Sequence, residues 1–76
     1  MKEHYRNWLK DELEDVEKYA EASKTASGHE KQMLHDMAKE EMEHACAVWH
    51  MMECHHMTDD MDKHEVFHKA NHVLHD

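Results

Sequence analysis

Met37-Ala38-Lys39-Glu40-Glu41-Met42-Glu43-His44-Ala45 sits mid-chain in a sequence of 76 residues, and the rest of the chain can be placed around it. Glu41 and His44 are three residues apart, so on a helix they project from neighbouring points of one face and can share a metal ion. The pair alone says little, because in so Glu- and His-rich a chain roughly one or two Glu-x-x-His pairs arise by chance. Three occur: Glu41/His44, Glu53/His56 and Glu65/His68. Direction separates them. At 100° per residue, Leu34, Met37, Ala38, Ala45, Val48 and Met52 fall on one side of the helix, with Glu41 at the centre of that stripe and His44 at its edge. Glu53 and Glu65 lie off the apolar faces of their helices. A carboxylate inside a core-facing stripe costs on the order of several kcal/mol to desolvate unless it is paired or bound to metal.

The preceding helix runs from Lys2 to about Thr25, with Tyr5, Trp8, Leu9, Leu13, Val16, Tyr19 and Ala20 on one face. One acidic residue falls inside that face, Glu12, while Glu14, Glu17 and Glu21 point sideways or outward. Ser27-Gly28-His29 breaks the pattern: Gly28 suits the end of the first helix, and Ser27 with Glu30 reads as a capping box opening the second. So short a turn makes the helices antiparallel. The second helix is expected to continue to about Met57, about 45 Å at 1.5 Å per residue. Glu12 lies about as far before the turn as Glu41 lies after it, so the two come level across the hairpin. Thr58-Asp59-Asp60 is the next N-cap signal, and a shorter helix is expected over Asp60 to Leu74. Its apolar side is Val66, Phe67, Ala70, Val73 and Leu74, and its other side collects His64, His68, His72 and His75.

The fold class is therefore all-α: an antiparallel hairpin over residues 1–57 and a C-terminal amphipathic, His-rich helix over residues 58–76. A chain this short buries a poor core alone, but two hairpins about a two-fold axis close a four-helix bundle. Doubling the hairpin doubles the polar set, to two Glu12, two Glu41 and two His44, the ligand set of a di-iron or di-manganese carboxylate site. The formal charge of −9 disfavours nucleic acid and anionic membranes as partners and favours cations. With all eleven histidines protonated the charge becomes −9 + 11 = +2, so assembly should respond to pH between about 5 and 7. No apolar run suggests a signal peptide or a membrane span, and a cytoplasmic location is expected.

Glu12-Leu13-Glu14-Asp15-Val16-Glu17-Lys18-Tyr19 followed by Glu40-Glu41-Met42-Glu43-His44-Ala45 resembles the ferritin-like superfamily, and most nearly the half-ferritins of the encapsulated-ferritin group. The resemblance covers roughly Leu9 to Met51. It implies a ferroxidase that oxidises Fe(II) between two subunits, for iron storage or detoxification. Glu12, Glu41 and His44 would be the iron ligands, Tyr19 the tyrosine beside the centre, and Asp11 and Glu14 outer acidic residues that gather iron. It also implies a homodimer or ring of dimers, with an encapsulin-type shell protein as partner and a protein nanocompartment as setting. Mn, Ca or Zn are further ions for the same site. Rubrerythrin-like peroxidases are the sibling reading, without their four-cysteine rubredoxin module.

Other readings stand beside this one. The carboxylate cluster can be a buried polar group that sets bundle register, and Tyr19 an ordinary core tyrosine. Cys46, His50 and Cys54 line the side of the second helix opposite Glu41, a soft-ligand stripe for Zn(II) or Cu(I) or a surface covered by another helix. His64, His68 and His72 can chelate transition metals in pairs. A non-catalytic Zn, Cu or Ni storage protein using these His, Cys and Met faces, and a helical interaction module without metal, are the alternative functions.

Overall fold

In the computed structural model, which describes residues 2–76, all regular structure among the described residues is helical. Helix α1 spans Lys2–Thr25, α2 spans Gly28–Cys54 and α3 spans Lys63–His75. Two residues, Ala26 and Ser27, separate α1 from α2, so the chain reverses on itself and the helices pack along their length. The long dimension, 43 Å, is close to the length of α2.

The corner differs from a capping box. Ser27 occupies the N-cap position in extended backbone, but its side chain makes no capping hydrogen bond. Gly28 follows at φ +60°, so the residue after the cap is left-handed and the Ser27 hydroxyl is not led over the first turn. The hairpin is instead tied by the Lys31 ammonium of α2, which donates to the Ser23 carbonyl of α1 at 3.1 Å, while the buried Ser23 hydroxyl donates within α1 to the Ala20 carbonyl at 2.7 Å.

Helix α2 stops at Cys54, short of Met57. The His56 amide donates to the Glu53 carbonyl at 3.0 Å and the Met57 amide to the Met52 carbonyl at 2.9 Å, the paired bonds of a Schellman ending. His56 stands at the left-handed position with φ 57°, where glycine is usual. Met57 and Met52, the apolar pair that clasps such an ending, are both buried. Helix α3 also begins later than expected. Thr58-Asp59-Asp60 forms a turn in which the Thr58 carbonyl accepts from the Met61 amide at 3.0 Å. Asp62 is the cap, its carboxylate accepting from the Glu65 amide at 3.4 Å.

Leu9, Leu13, Val16 and Ala20 of α1 meet Ala38, Ala45, Val48, Trp49 and Met52 of α2, and α3 adds Phe67, Ala70, Val73 and Leu74. Helix α3 lies chiefly along α1, with Phe67 edge-on to Trp49 at 5.8 Å and Lys69 paired with Glu17 at 3.2 Å. It thus covers the flank of the hairpin bearing Leu13, Glu17 and Trp49. The opposite flank stays open, and that corrects two expectations. Trp8 and Met37, read as core, are each 39% exposed because no third helix lies over them.

Met52→Ala, at a side chain with no exposure, should lower the free energy of urea unfolding by about 2–5 kcal/mol. His56→Gly should raise it by about 1 kcal/mol, because glycine takes the left-handed conformation without a Cβ penalty. A lowered urea midpoint for His56→Gly would contradict the role given to this ending.

Candidate metal centre

Across the hairpin, on the flank that α3 leaves open, Glu12 of α1 meets Glu41 and His44 of α2. One ligand atom from each lies within 4.8 Å of the others. His44 Nδ1 is 3.5 Å from Glu12 Oε2 and 3.6 Å from Glu41 Oε1, too long for good hydrogen bonds. Ligands held at about 2.0–2.2 Å from one ion stand roughly 3.0–3.5 Å apart at tetrahedral or octahedral angles. The His44 nitrogen thus stands near ligand–ligand spacing from a carboxylate oxygen of each glutamate and beyond good hydrogen-bonding distance of both.

The two Glu12 oxygens are treated differently. Trp8 Nε1–H donates to Oε1 at 3.2 Å, one turn earlier on α1, and so orients the carboxylate. Oε2 is buried and has no hydrogen-bond partner among the described residues. The side chains of Glu12 and Glu41 are 17% and 21% exposed, whereas His44 is 61% exposed, so the imidazole closes the solvent side of the group.

Glu41 is pushed up from the ordinary 4.5 to about 7. The hydrogen bond to Glu12 that Glu41 makes only while it keeps its proton is the largest cause, followed by burial and then by the negative charge of Glu12, to which Asp15 adds while His44 opposes. Two carboxyl groups this close retain a proton where each alone would lose it, and that proton belongs to the pair. A cation placed between them does the same work as the proton.

The remaining residues singled out from the sequence lie elsewhere. Tyr19 is half-buried against the core, two turns along α1 from Glu12. Asp11 and Glu14 are both exposed. Asp11 lines a shallow cleft with His4, Asn7 and Trp8, but Glu14 faces a groove on the α3 side with Arg6, Lys10 and Met61. Cys46, His50 and Cys54 are not gathered to a point. Cys46 is half-buried beside Met42, His64 and Phe67, His50 pairs with Glu53 at 2.9 Å, and Cys54 is exposed. The residue not foreseen at the centre is Trp8, whose spacing of four from Glu12 was the available signal.

No model of a known protein family matches the chain, and comparisons with curated proteins and with solved structures also find no match.

A carboxyl group with a raised folded-state pKa favours folding while it is protonated. That contribution is present below about pH 4.5, declines as the pH rises, and is gone above about pH 7. Glu41→Gln, which keeps the neutral form at all pH values, should therefore lose less thermal stability than wild type between about pH 5 and about pH 8. Parallel pH profiles of Tm for the two proteins would contradict the shared proton.

Proposed function

We propose that this chain is a ferroxidase of the di-iron carboxylate type, in which each protomer contributes Glu12, Glu41 and His44 to a centre shared with a second copy. The observation that carries the reading is the convergence of one ligand atom each from Glu12, Glu41 and His44 within 4.8 Å, with the buried Oε2 of Glu12 left without a donor once the pair is ionised. A buried carboxylate oxygen without a donor is unfavourable by about 1–3 kcal/mol or more, and a cation removes that penalty. Carboxylates with one imidazole per protomer suit Fe(II) or Mn(II) better than the softer ions.

The half-site belongs with a second copy for a further reason. Three protein ligands leave an ion open on one side, and large apolar side chains stand exposed nearby: Trp8 is 39%, Met37 39% and Met33 51% exposed. These side chains follow the same lines as the ligands, Trp8 one turn before Glu12, and Met33 and Met37 in successive turns before Glu41. Apolar area around a polar centre is the composition of a bundle interface. Joining two such flanks about a two-fold axis gives the ferritin-like four-helix bundle that the sequence resembles.

In that arrangement Glu12, held by Trp8, and Glu41 bind the ions and release the shared proton as they do so. His44 supplies a neutral nitrogen at the solvent side, where substrate enters. Each bound Fe(II) gives up one electron, and dioxygen that takes two electrons and two protons leaves as hydrogen peroxide. Carboxylate charge then favours the ferric product over the ferrous substrate. Because the ion displaces a proton from the pair, ferrous affinity should fall as the pH drops below about 7.

Aerobic addition of Fe(II), followed by near-ultraviolet absorbance, should show oxidation faster than the buffer control at about two irons per dimer. Glu12→Ala and Glu41→Ala should remove the excess rate. Sedimentation should show that Fe(II) or Mn(II) shifts wild type toward the dimer, since the ions relieve repulsion between the facing carboxylates. Tight binding of Mn(II) with no iron oxidation would overturn the enzymatic reading and leave a metal-holding protein.

A further inference from the structure

The outward face of α3 carries a second array of metal-ligating side chains, remote from the carboxylate centre. Phe67, Ala70, Val73 and Leu74 are buried, which turns His64, His68 and His72 to solvent in a row at successive turns. The rings of His64 and His68 lie 5.6 Å apart between centroids, and those of His68 and His72 lie 6.3 Å apart at an interplanar angle of 21°. His72 Nε2 is also 3.0 Å from a carboxylate oxygen of Asp76, one turn further on.

Two imidazoles bound to one ion through nitrogens at about 2.0–2.1 Å hold their ring centroids roughly 4.5–5.5 Å apart, for angles of about 90° to 120° at the metal. The first pair stands almost at that distance and the second within about 1 Å of it. Exposed side chains cover such a difference by rotation about χ1 and χ2. The helix backbone has already fixed the spacing, so the second ligand binds at high effective concentration.

The charges around the row favour a cation. Of the two lysines of α3, Lys69 pairs with Glu17 of α1, and Lys63, whose ammonium sits over the Phe67 ring at 5.7 Å, lines a groove with His64 at one end of the row. His72 lies in the last turn of α3, where the helix dipole presents its negative end. A ligand set of imidazoles differs in kind from the carboxylate set of Glu12 and Glu41. Carboxylate oxygen suits Mn(II) and Fe(II), whereas paired imidazoles suit Zn(II), Ni(II) and Cu(II).

We propose that His64, His68 and His72 form a surface chelate for one imidazole-preferring divalent cation, with His68 common to two alternative pairs one turn apart. The chelate is independent of the carboxylate centre and takes a different class of ion.

The test is calorimetric titration of the full chain with NiCl2 at neutral pH. Wild type should bind Ni(II), and His68→Ala should weaken binding by about tenfold or more, because it breaks both imidazole pairs of the row and leaves His72 only the Asp76 carboxylate beside it. The double variant His64→Asn/His72→Asn, which keeps His68 but removes both neighbours, should show the same loss. Glu12→Ala should bind Ni(II) as wild type does. All three positions are exposed, so helix content by circular dichroism should be unchanged. Equal affinity in His68→Ala and wild type, no Ni(II) binding by wild type, or loss of binding in Glu12→Ala would each overturn the assignment.

Discussion

Two carboxylates face one another across a helical hairpin, half-removed from water, with a single imidazole at their edge. Left ionised, Glu12 and Glu41 repel each other and each forfeits part of its hydration. The pair has two ways out. One is a shared proton, which is why Glu41 holds its proton up to about pH 7. The other is a cation, for which the unpartnered Glu12 oxygen and the His44 nitrogen are already in position. A cation binding at this point would therefore compete with the shared proton for one gap.

The rest of the fold determines which side of the hairpin carries that gap. Helix α3 closes one flank, using Phe67 against Trp49 and the Lys69–Glu17 ion pair, and gives a short chain a third wall for its core. The other flank keeps the carboxylates together with Trp8, Met33 and Met37. Because α3 is committed to the first flank, the second is free for another copy without unfolding anything. The same division leaves His64, His68 and His72 of α3 exposed on the outer side of that helix. A carboxylate cluster and a row of imidazoles thus occupy different surfaces of one small domain.

Much of this was legible in the sequence where it depended on register. The helical wheel singled out Glu12 and Glu41, and equal distances from the turn brought them level; both follow from the 3.6-residue repeat. The wheel gives direction and not coverage, so Trp8 and Met37 read as core although no helix lies over them. Helix ends were less legible. A Schellman ending is normally announced by glycine, and here His56 takes the left-handed position, so α2 appeared to run on to Met57. Thr58-Asp59-Asp60 reads as the cap, but of the acidic residues before α3 only Asp62 stands three residues before Glu65 and accepts from its amide. The treatment of the two Glu12 oxygens depends on a Trp8 rotamer, which a sequence pattern does not specify.

The central claim is that Glu12, Glu41 and His44 from two copies enclose metal ions on a two-fold axis. The most direct measurement is anomalous diffraction at the iron edge from crystals grown with Fe(II) under anaerobic conditions. The account predicts anomalous peaks between the two hairpins, each within coordination distance of Glu12 and Glu41 carboxylate oxygens, with a His44 nitrogen completing the set. A crystal in which the two carboxyl groups of each hairpin remain hydrogen-bonded to one another, with iron absent from between them, would contradict it.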